Sequence, residues 1–431
     1  MARLYKRSGG VVSGAITVGT RLARRSPVAL LLLLVPLVLT VWALLNPFAA
    51  AQYLPTWITR HWGGAPTKKP IGSDGLQVNG GASVLLVSAY FPLGKSKHSW
   101  LQYYNWISNF YGQIQADLYV FVPPEMGEVV HKIRGPNLPL HVNTTFAWAH
   151  EIPPLQHLQR EFAAQVALDP EAYKHNAELY QVWAAKPYFV REAMRNLRAT
   201  GRREYDYVLW IDAGSMRETH PFAAWPDVGT LDRFFEQGAR LTGTPRNDLI
   251  LIPIERNIPS RFAKWQEDDG PLDALHDLNT SEGSLFGGSP HALEWYIDIY
   301  FTYLYYYLDM GLFVGKDQSI MNTLFVLYPE RFITIWNRDP RAKNSPGQQR
   351  IYGGMGYCGD PWFYYFFVMA TEAERIMMNR MWQAKWRIDY WNGPRHVCRT
   401  TGILAMDDVL RVAFGKDWRP PPHRLRLKPL P

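Results

Sequence analysis

Tyr207–Ile211 is a run of apolar residues, YVLWI, that delivers Asp212 at its end and is followed by Ala213, Gly214 and Ser215. A carboxylate at the end of a buried strand can hold a divalent cation on a diphosphate or accept a hydrogen bond from a ribose, and Gly214 lets a ligand approach the backbone. The same acid can simply cap the following turn. Lys186 directly precedes Pro187, a residue suited to a helix's first turn, and the spacing predicts a helix over 187–198. Lys186 would then stand at a helix N-terminus, where free N–H groups and the dipole favour an anion such as a diphosphate. Arg217, just beyond Asp212, is a second phosphate candidate or one half of a surface ion pair. Asp317 opens the segment carrying Ile320, Met321, Leu324 and Leu327, and reads either as a helix cap or as an acid facing a ligand beside Gln318. Gly283–Ser289, before Pro290, is a glycine-rich turn entering a helix, but it lacks the Gly-Lys-Ser/Thr ending of a nucleotide-binding P-loop. Asp360, before Pro361, reads as a cap.

Other chemistries find little support. There is no G-x-S-x-G elbow and no H-E-x-x-H pair. Cys358 and Cys398 are the only cysteines, too few for a four-ligand zinc site, and they pair if the body lies in an oxidising compartment. The net charge of +8 is concentrated before Pro27 and after Trp418, so no central basic stripe points to nucleic acid. A chain that is 47% hydrophobic and 19% charged builds a core and is not disordered.

The elements that must position these residues alternate. Strands are expected at Ser83–Tyr90, Ala116–Val122, Tyr207–Ile211, Leu249–Pro253 and Ser284–Gly288, with helices near Ser99–Tyr111, 187–198 and Leu293–Leu308. That order implies an α/β fold with a largely parallel sheet covered on both faces, whose ligands collect at the carboxyl ends of strands.

LWIDAGS resembles the strand-then-Asp-x-Asp signature of GT-A glycosyltransferases, with Gly214 in place of the second Asp. The pattern Tyr180, Lys186, Val190, Ala193, Trp210-Ile211-Asp212, Gly214, Arg217 is similar to that of the HtrL/YibB and WlaTC glycosyltransferase family, patchily from about Val84 to Phe332. The resemblance implies a Rossmann-like GT-A fold, a nucleotide-sugar donor, a glycan or glycoconjugate acceptor, and a divalent cation, Mn²⁺ by expectation, on Asp212. It implies donor contacts from Asp212, Gly214, Lys186 and Arg217, and sugar or acceptor contacts from Gly287, Gly288 and Ser289. Asp317 becomes a base toward the acceptor hydroxyl or a sugar ligand, with Gln318 alongside. The alternative is an anchored carbohydrate- or nucleotide-sugar-binding protein of the same fold without turnover.

Residues Pro27–Leu45 contain no charge, and about 1.5 Å per residue takes them across a bilayer core. Arg3, Lys6, Arg7, Arg21, Arg24 and Arg25 precede the run, which places the N-terminus in the cytosol. The expected layout is a basic tail at 1–26, a signal anchor at 27–46, a stem at 47–81, a catalytic domain at 82–415 and a Pro/basic tail at 416–431. This is a type II arrangement, expected in the Golgi with a lumenal body. The sequons at Asn143 and Asn279 are compatible with it.

Overall fold

The structure is a computed structural model describing residues 83–201, 205–272, 278, 280–339, 341, 358–360, 362–388, 398 and 401–430. The expected cytosolic tail, membrane span and stem lie outside these residues, as does Asn279. No helix among the described residues is long and apolar enough to cross a membrane.

Strands β1 (Val84–Ala89), β2 (Asp117–Phe121), β3 (Leu140–Asn143), β4 (Tyr207–Ile211), β5 (Ile250–Leu251), β6 (Leu285–Gly288), β7 (Phe332–Thr334) and β8 (Leu404–Ala405) form one sheet, ordered β3-β2-β1-β4-β6-β5-β7-β8. The β3-β2-β1-β4 half is parallel. Beyond it the sheet is mixed: β6 runs antiparallel to both β4 and β5, β5 and β7 are parallel, and β8 is antiparallel to β7. The alternation of elements predicted the parallel half; strand direction at β6 is not written in an apolar run.

The helices are α1 (Trp100–Tyr111), α2 (Gly127–Arg134), α3 (Gln159–Leu168), α4 (Ala177–Ala199), α5 (Val228–Thr242), α6 (Pro290–Asp309), α7 (Asp317–Leu327), α8 (Tyr365–Val368), α9 (Glu372–Ile388) and α10 (Met406–Phe414). They cover both faces, which is why β1 and β4 are buried at every position and apolar throughout. Side chains alternate across the sheet. Leu85, Val87, Val208 and Trp210 join residues of α4, α6 and α7 in one core, while Leu86, Tyr207, Leu209 and Ile211 join those of α1 and α5 in the other.

The helix expected to open at Pro187 starts ten residues earlier. Asn176 caps α4, its side chain accepting from the Leu179 N–H at 2.9 Å, and Pro187 lies inside the helix. An interior proline costs about 3 kcal/mol. Burial of Tyr180, Ala184, Ala185, Phe189 and Val190 on the same helix offsets that loss.

Cys358 and Cys398 are joined in a buried disulfide. Asn143 lies in β3, its amide donating to the Tyr119 hydroxyl at 3.3 Å and accepting from the Thr145 N–H. The chain after Trp418 packs back onto the body. The Arg424 N–H donates to Glu267, the Lys428 N–H to Thr302, and the Leu430 N–H to Asp298. Buried Arg191 of α4 donates to Glu294, Asp298 and the Leu430 carbonyl.

Candidate active site

Period-two alternation puts Asp212 on the sheet face shared by Val208 and Trp210, the face covered by α4. Trp210 Nε1 donates to Asp212 Oδ1 at 2.7 Å, fixing the carboxylate from within its own strand. From α4, Lys186 extends its buried ammonium to Asp212 Oδ1 at 3.0 Å and Oδ2 at 3.1 Å, to Asp317 Oδ2 at 2.8 Å, and to the Gly283 carbonyl at 2.8 Å. Asp212 and the Gly283 carbonyl take hydrogen bonds from the ammonium, and Asp317 is held beside it as an ion pair.

Lys186 is therefore a cross-link between the end of β4 and the start of α7, not a lysine waiting at a helix N-terminus. This corrects the expectation that it meets a diphosphate directly. Burial pulls its ammonium down, but the charges of Asp212 and Asp317 outweigh that and hold it above the usual lysine value. Asp317 is pushed above the usual carboxylate range by burial, with Lys186 opposing. It is the first residue of α7 rather than its cap: Lys316 holds the cap position, and Asp317 Oδ1 accepts from the Gln318 N–H at 3.0 Å. Asp317 is 5% exposed with an oxygen committed to Lys186, so its position is that of a support rather than an acid in contact with an acceptor. The Gln318 side chain donates to the Ser281 carbonyl. Asp212 keeps 32% of its side chain accessible and is the most open member of this trio.

A cavity of about 820 Å³ opens over these residues, lined among others by Ala89–Phe91 at the end of β1, Asp212–Ser215 after β4, and Asp317. It lies at the carboxyl ends of β1 and β4, where the strand order reverses, the place where open α/β sheets bind ligands. One wall is aromatic. Tyr90 lies 5.8 Å from Trp100 and 5.3 Å from Tyr103, and Tyr103 lies 5.4 Å from Trp106, centroid to centroid. Burial, with Tyr103 beside it, pushes the Tyr90 hydroxyl up to about 12. Such a wall is a stacking surface for a base or a sugar ring.

Arg217 lines the cavity, its guanidinium 4.6 Å over the Trp106 ring and 4.9 Å over Phe363, with Asp360 at 4.0 Å. Lys97 is a second cation on the wall. Asp360 caps the turn after it, accepting from the Trp362 N–H at 3.0 Å.

The glycine-rich segment divides in two. Gly283 and Ser284 line the cavity. A Cβ on Gly283 would stand 3.0 Å from both Asp317 oxygens, so glycine there admits the carboxylate. Gly287 and Gly288 do not line it. They lie inside β6, where a Cβ would meet Leu209 at 2.1 Å and the Leu249 carbonyl at 2.7 Å respectively. Ser289 caps α6 through the Ala292 N–H and donates to the Asn247 carbonyl. The expected sugar contacts of these three residues give way to sheet packing and capping.

Gly214 also has a steric reason. A Cβ there would lie 3.3 Å from Tyr103 and 3.4 Å from Trp106, so a side chain at 214 requires those rings to give by a few tenths of an ångström. With Lys186 already between the two carboxylates, a divalent cation on Asp212 would face an ammonium. No three His, Cys, Asp or Glu side chains converge on a metal position among the described residues. The expected Mn²⁺ does not fit this donor set.

Asp169 and His175, which join Tyr180 beside the cavity, had no sequence signal. His175 Nδ1 and the Tyr180 hydroxyl both bond Asp169 Oδ2 at 2.7 Å, and His175 lines the cavity. Burial raises Asp169, but its hydrogen bonds from Tyr180, the Glu171 backbone and His175 bring it below the usual range.

The sequence matches no protein-family profile and no curated relative. Among solved structures it is similar to core-mannan synthase A from Aspergillus fumigatus in its Mn/GDP form, at 13% identity over 65% of this chain and 82% of that one, with a TM-score of 0.33. It is also similar to a 4-diphosphocytidyl-2C-methyl-D-erythritol synthase, at 14% identity, 62% and 95% coverage and a TM-score of 0.25. A third is the PaToxG glycosyltransferase, at 9% identity, 58% and 71% coverage and a TM-score of 0.25. Likeness at that level fixes no activity.

Proposed function

We propose that this protein transfers a sugar from a nucleoside-diphosphate sugar to a glycan or glycoconjugate acceptor. The observation that carries the reading is Asp212 at the carboxyl end of β4, held in place by buried Lys186 and opening into an aromatic-walled cavity at the sheet's switch point. The resemblance of the Tyr180–Arg217 pattern to the HtrL/YibB and WlaTC glycosyltransferases supports the same reading.

In transfer, the bond from the sugar's anomeric carbon to the diphosphate breaks as the bond to the acceptor oxygen forms, through an oxocarbenium-like state, and the acceptor hydroxyl releases its proton. The diphosphate departs with charge that Arg217 and Lys97, both on the cavity wall, are placed to stabilise. Asp212, held in place by Lys186, accepts hydrogen bonds from ribose or sugar hydroxyls. Lys186 and Asp317 are positioning residues for Asp212. The base or sugar ring stacks on Tyr90, Trp100, Tyr103 and Trp106.

A type II setting in the Golgi belongs to the same proposal. It is supported by the uncharged run Pro27–Leu45 behind a basic leader, and by a disulfide that persists in an oxidising lumen. Protease protection that finds the N-terminus lumenal would overturn that setting.

The test of the activity is a thermal-shift screen of the full chain against UDP, GDP and CDP, each with Mn²⁺ and with EDTA. A diphosphate at a ~100-fold excess over its Kd adds about 2.7 kcal/mol of stability. The expected result is selective stabilisation that EDTA leaves intact. Failure of all three nucleotides to stabilise the protein refutes the reading. Turnover of the matching nucleotide sugar then separates a transferase from a binding protein.

A further inference from the structure

Glu282 is 3% exposed, yet it lines the cavity beside Gly283, Ser284 and Asp212. Its backbone is fully used, the N–H donating to Pro253 and the carbonyl accepting from Leu285. Its side chain is not: Oε1 has no hydrogen-bond partner. A buried polar atom left without a partner is costly, and in native structures such an atom usually has an explanation at a functional site.

The surroundings say what kind of partner fits. The charged groups acting on Glu282 are all acids, namely Glu255, Asp360 and Asp212. Tyr364 and Tyr365 pack on the other side, and their hydroxyls are already used, by the Ile254 and Ile335 carbonyls and by Ser284. Among the described residues no cation acts on Glu282, so a phosphate finds no counter-charge here. Its counter-charges are Arg217 and Lys97 elsewhere on the cavity wall. A neutral polyol suits the position, because one sugar hydroxyl both donates and accepts, as a protonated carboxyl does.

We infer that Glu282 binds a hydroxyl of the transferred sugar, an assignment that rests on the nucleotide-sugar reading of the cavity. Burial first, and then the three neighbouring acids, hold its carboxyl far above the usual range. At neutral pH it therefore offers an O–H as well as an acceptor oxygen. Asp212 and Glu282 then divide the work. Asp212, paired with Lys186, accepts hydrogen bonds, and the neutral Glu282 carboxyl both donates and accepts them. Glu282 sits where a sugar is distinguished by which of its hydroxyls points toward the carboxyl.

The experiment compares wild type, Glu282→Gln and Glu282→Leu as full chains. Affinities are measured for UDP and GDP, and for UDP-glucose, UDP-galactose, UDP-N-acetylglucosamine and GDP-mannose. The expected result is that UDP or GDP binds all three proteins equally, which also shows that the variants are folded. One nucleotide sugar binds wild type more tightly than its diphosphate, and Glu282→Leu loses ~10- to 100-fold in that affinity, the scale of one buried partner left unmade. Glu282→Gln, which keeps a donor and an acceptor without charge, stays near wild type. A sugar-dependent gain that survives Glu282→Leu, or no sugar-dependent gain from any of these donors, overturns the assignment while leaving the diphosphate site standing. Failure of UDP and GDP to bind wild type, together with failure of CDP in the thermal-shift screen, overturns the cavity reading itself.

Discussion

Replacing Lys186 by Met keeps the length of the side chain and removes the charge that joins β4 to α7. At 2.8 Å and an effective dielectric of about 20, the Lys186–Asp317 attraction alone is worth roughly 6 kcal/mol before desolvation is subtracted. Breaking a buried pair by deleting one partner costs about 3–5 kcal/mol, because the remaining charge stays buried. Asp317 responds by taking a proton, since burial already pushes its carboxyl up and Lys186 is the counterweight. An acid whose folded pKa lies above its unfolded value binds protons more tightly when folded, so its penalty grows as pH rises and fades toward the unfolded value near 3.8. Urea unfolding of the full chain, followed by tryptophan fluorescence, should show Lys186→Met about 3–5 kcal/mol less stable at pH 7 and closer to wild type at pH 5. Adding Asp317→Asn to Lys186→Met should recover about 1–3 kcal/mol as a coupling energy. A loss below ~1 kcal/mol, or a double-mutant cycle with no coupling, refutes the cross-link.

Asp212→Asn is nearly isosteric and should lower nucleotide-sugar turnover at least ~10²-fold at unchanged fold, read by product assay and melting temperature together. Gly214→Asp, which writes Asp-x-Asp into the chain, should destabilise by about 1–3 kcal/mol against Tyr103 and Trp106 and gain no Mn²⁺ dependence, as denaturation and activity with and without EDTA would show. Burial holds His220 down to about 4 from 6.5, with Nε2 donating to the Asn109 carbonyl and Nδ1 accepting from the Phe222 N–H. Between those values the unfolded chain binds the extra proton, so up to about 3 kcal/mol of stability is lost as pH falls through that window, and His220→Gln should flatten this limb. Native protein should yield no free thiol on alkylation, and Cys358→Ser/Cys398→Ser should cost up to about 4 kcal/mol by the closure entropy of a 40-residue loop.

The elements that a sequence reading finds here are those whose local pattern and tertiary role agree. Val84–Ala89 and Tyr207–Ile211 are apolar because both faces of their strands are covered. Ser99 before α1 announces itself because it forms a capping box with Gln102. β3 escapes notice because LHVN is half-buried throughout and carries no apolar run. Pro187 misleads because its fixed φ suits a helix interior as well as a first turn, and only core packing decides between them. At the site, residue type was legible and partnership was not. Lys186 meets a carboxylate 26 residues away and a carbonyl 97 residues away, distances that only the strand order closes. Likewise Gly283 and Gly287 are the same letter in one short segment, yet one opens space for Asp317 and the other for Leu209.

The C-terminal segment ties the order of synthesis to the integrity of the interior. Arg191 leaves the ribosome with α4, but the Leu430 carbonyl that it binds lies 239 residues later in the chain. Glu294 and Asp298 arrive in between, so the guanidinium acquires its partners in stages, and Asp298 waits for the Leu430 N–H as well. A nascent chain that has not reached this point holds a charge in its core with an incomplete set of hydrogen bonds, the kind of unfinished intermediate that chaperones attend. Completion of this part of the interior is thus postponed until residue 430 has been made, even though the strands flanking Asp212 are made much earlier.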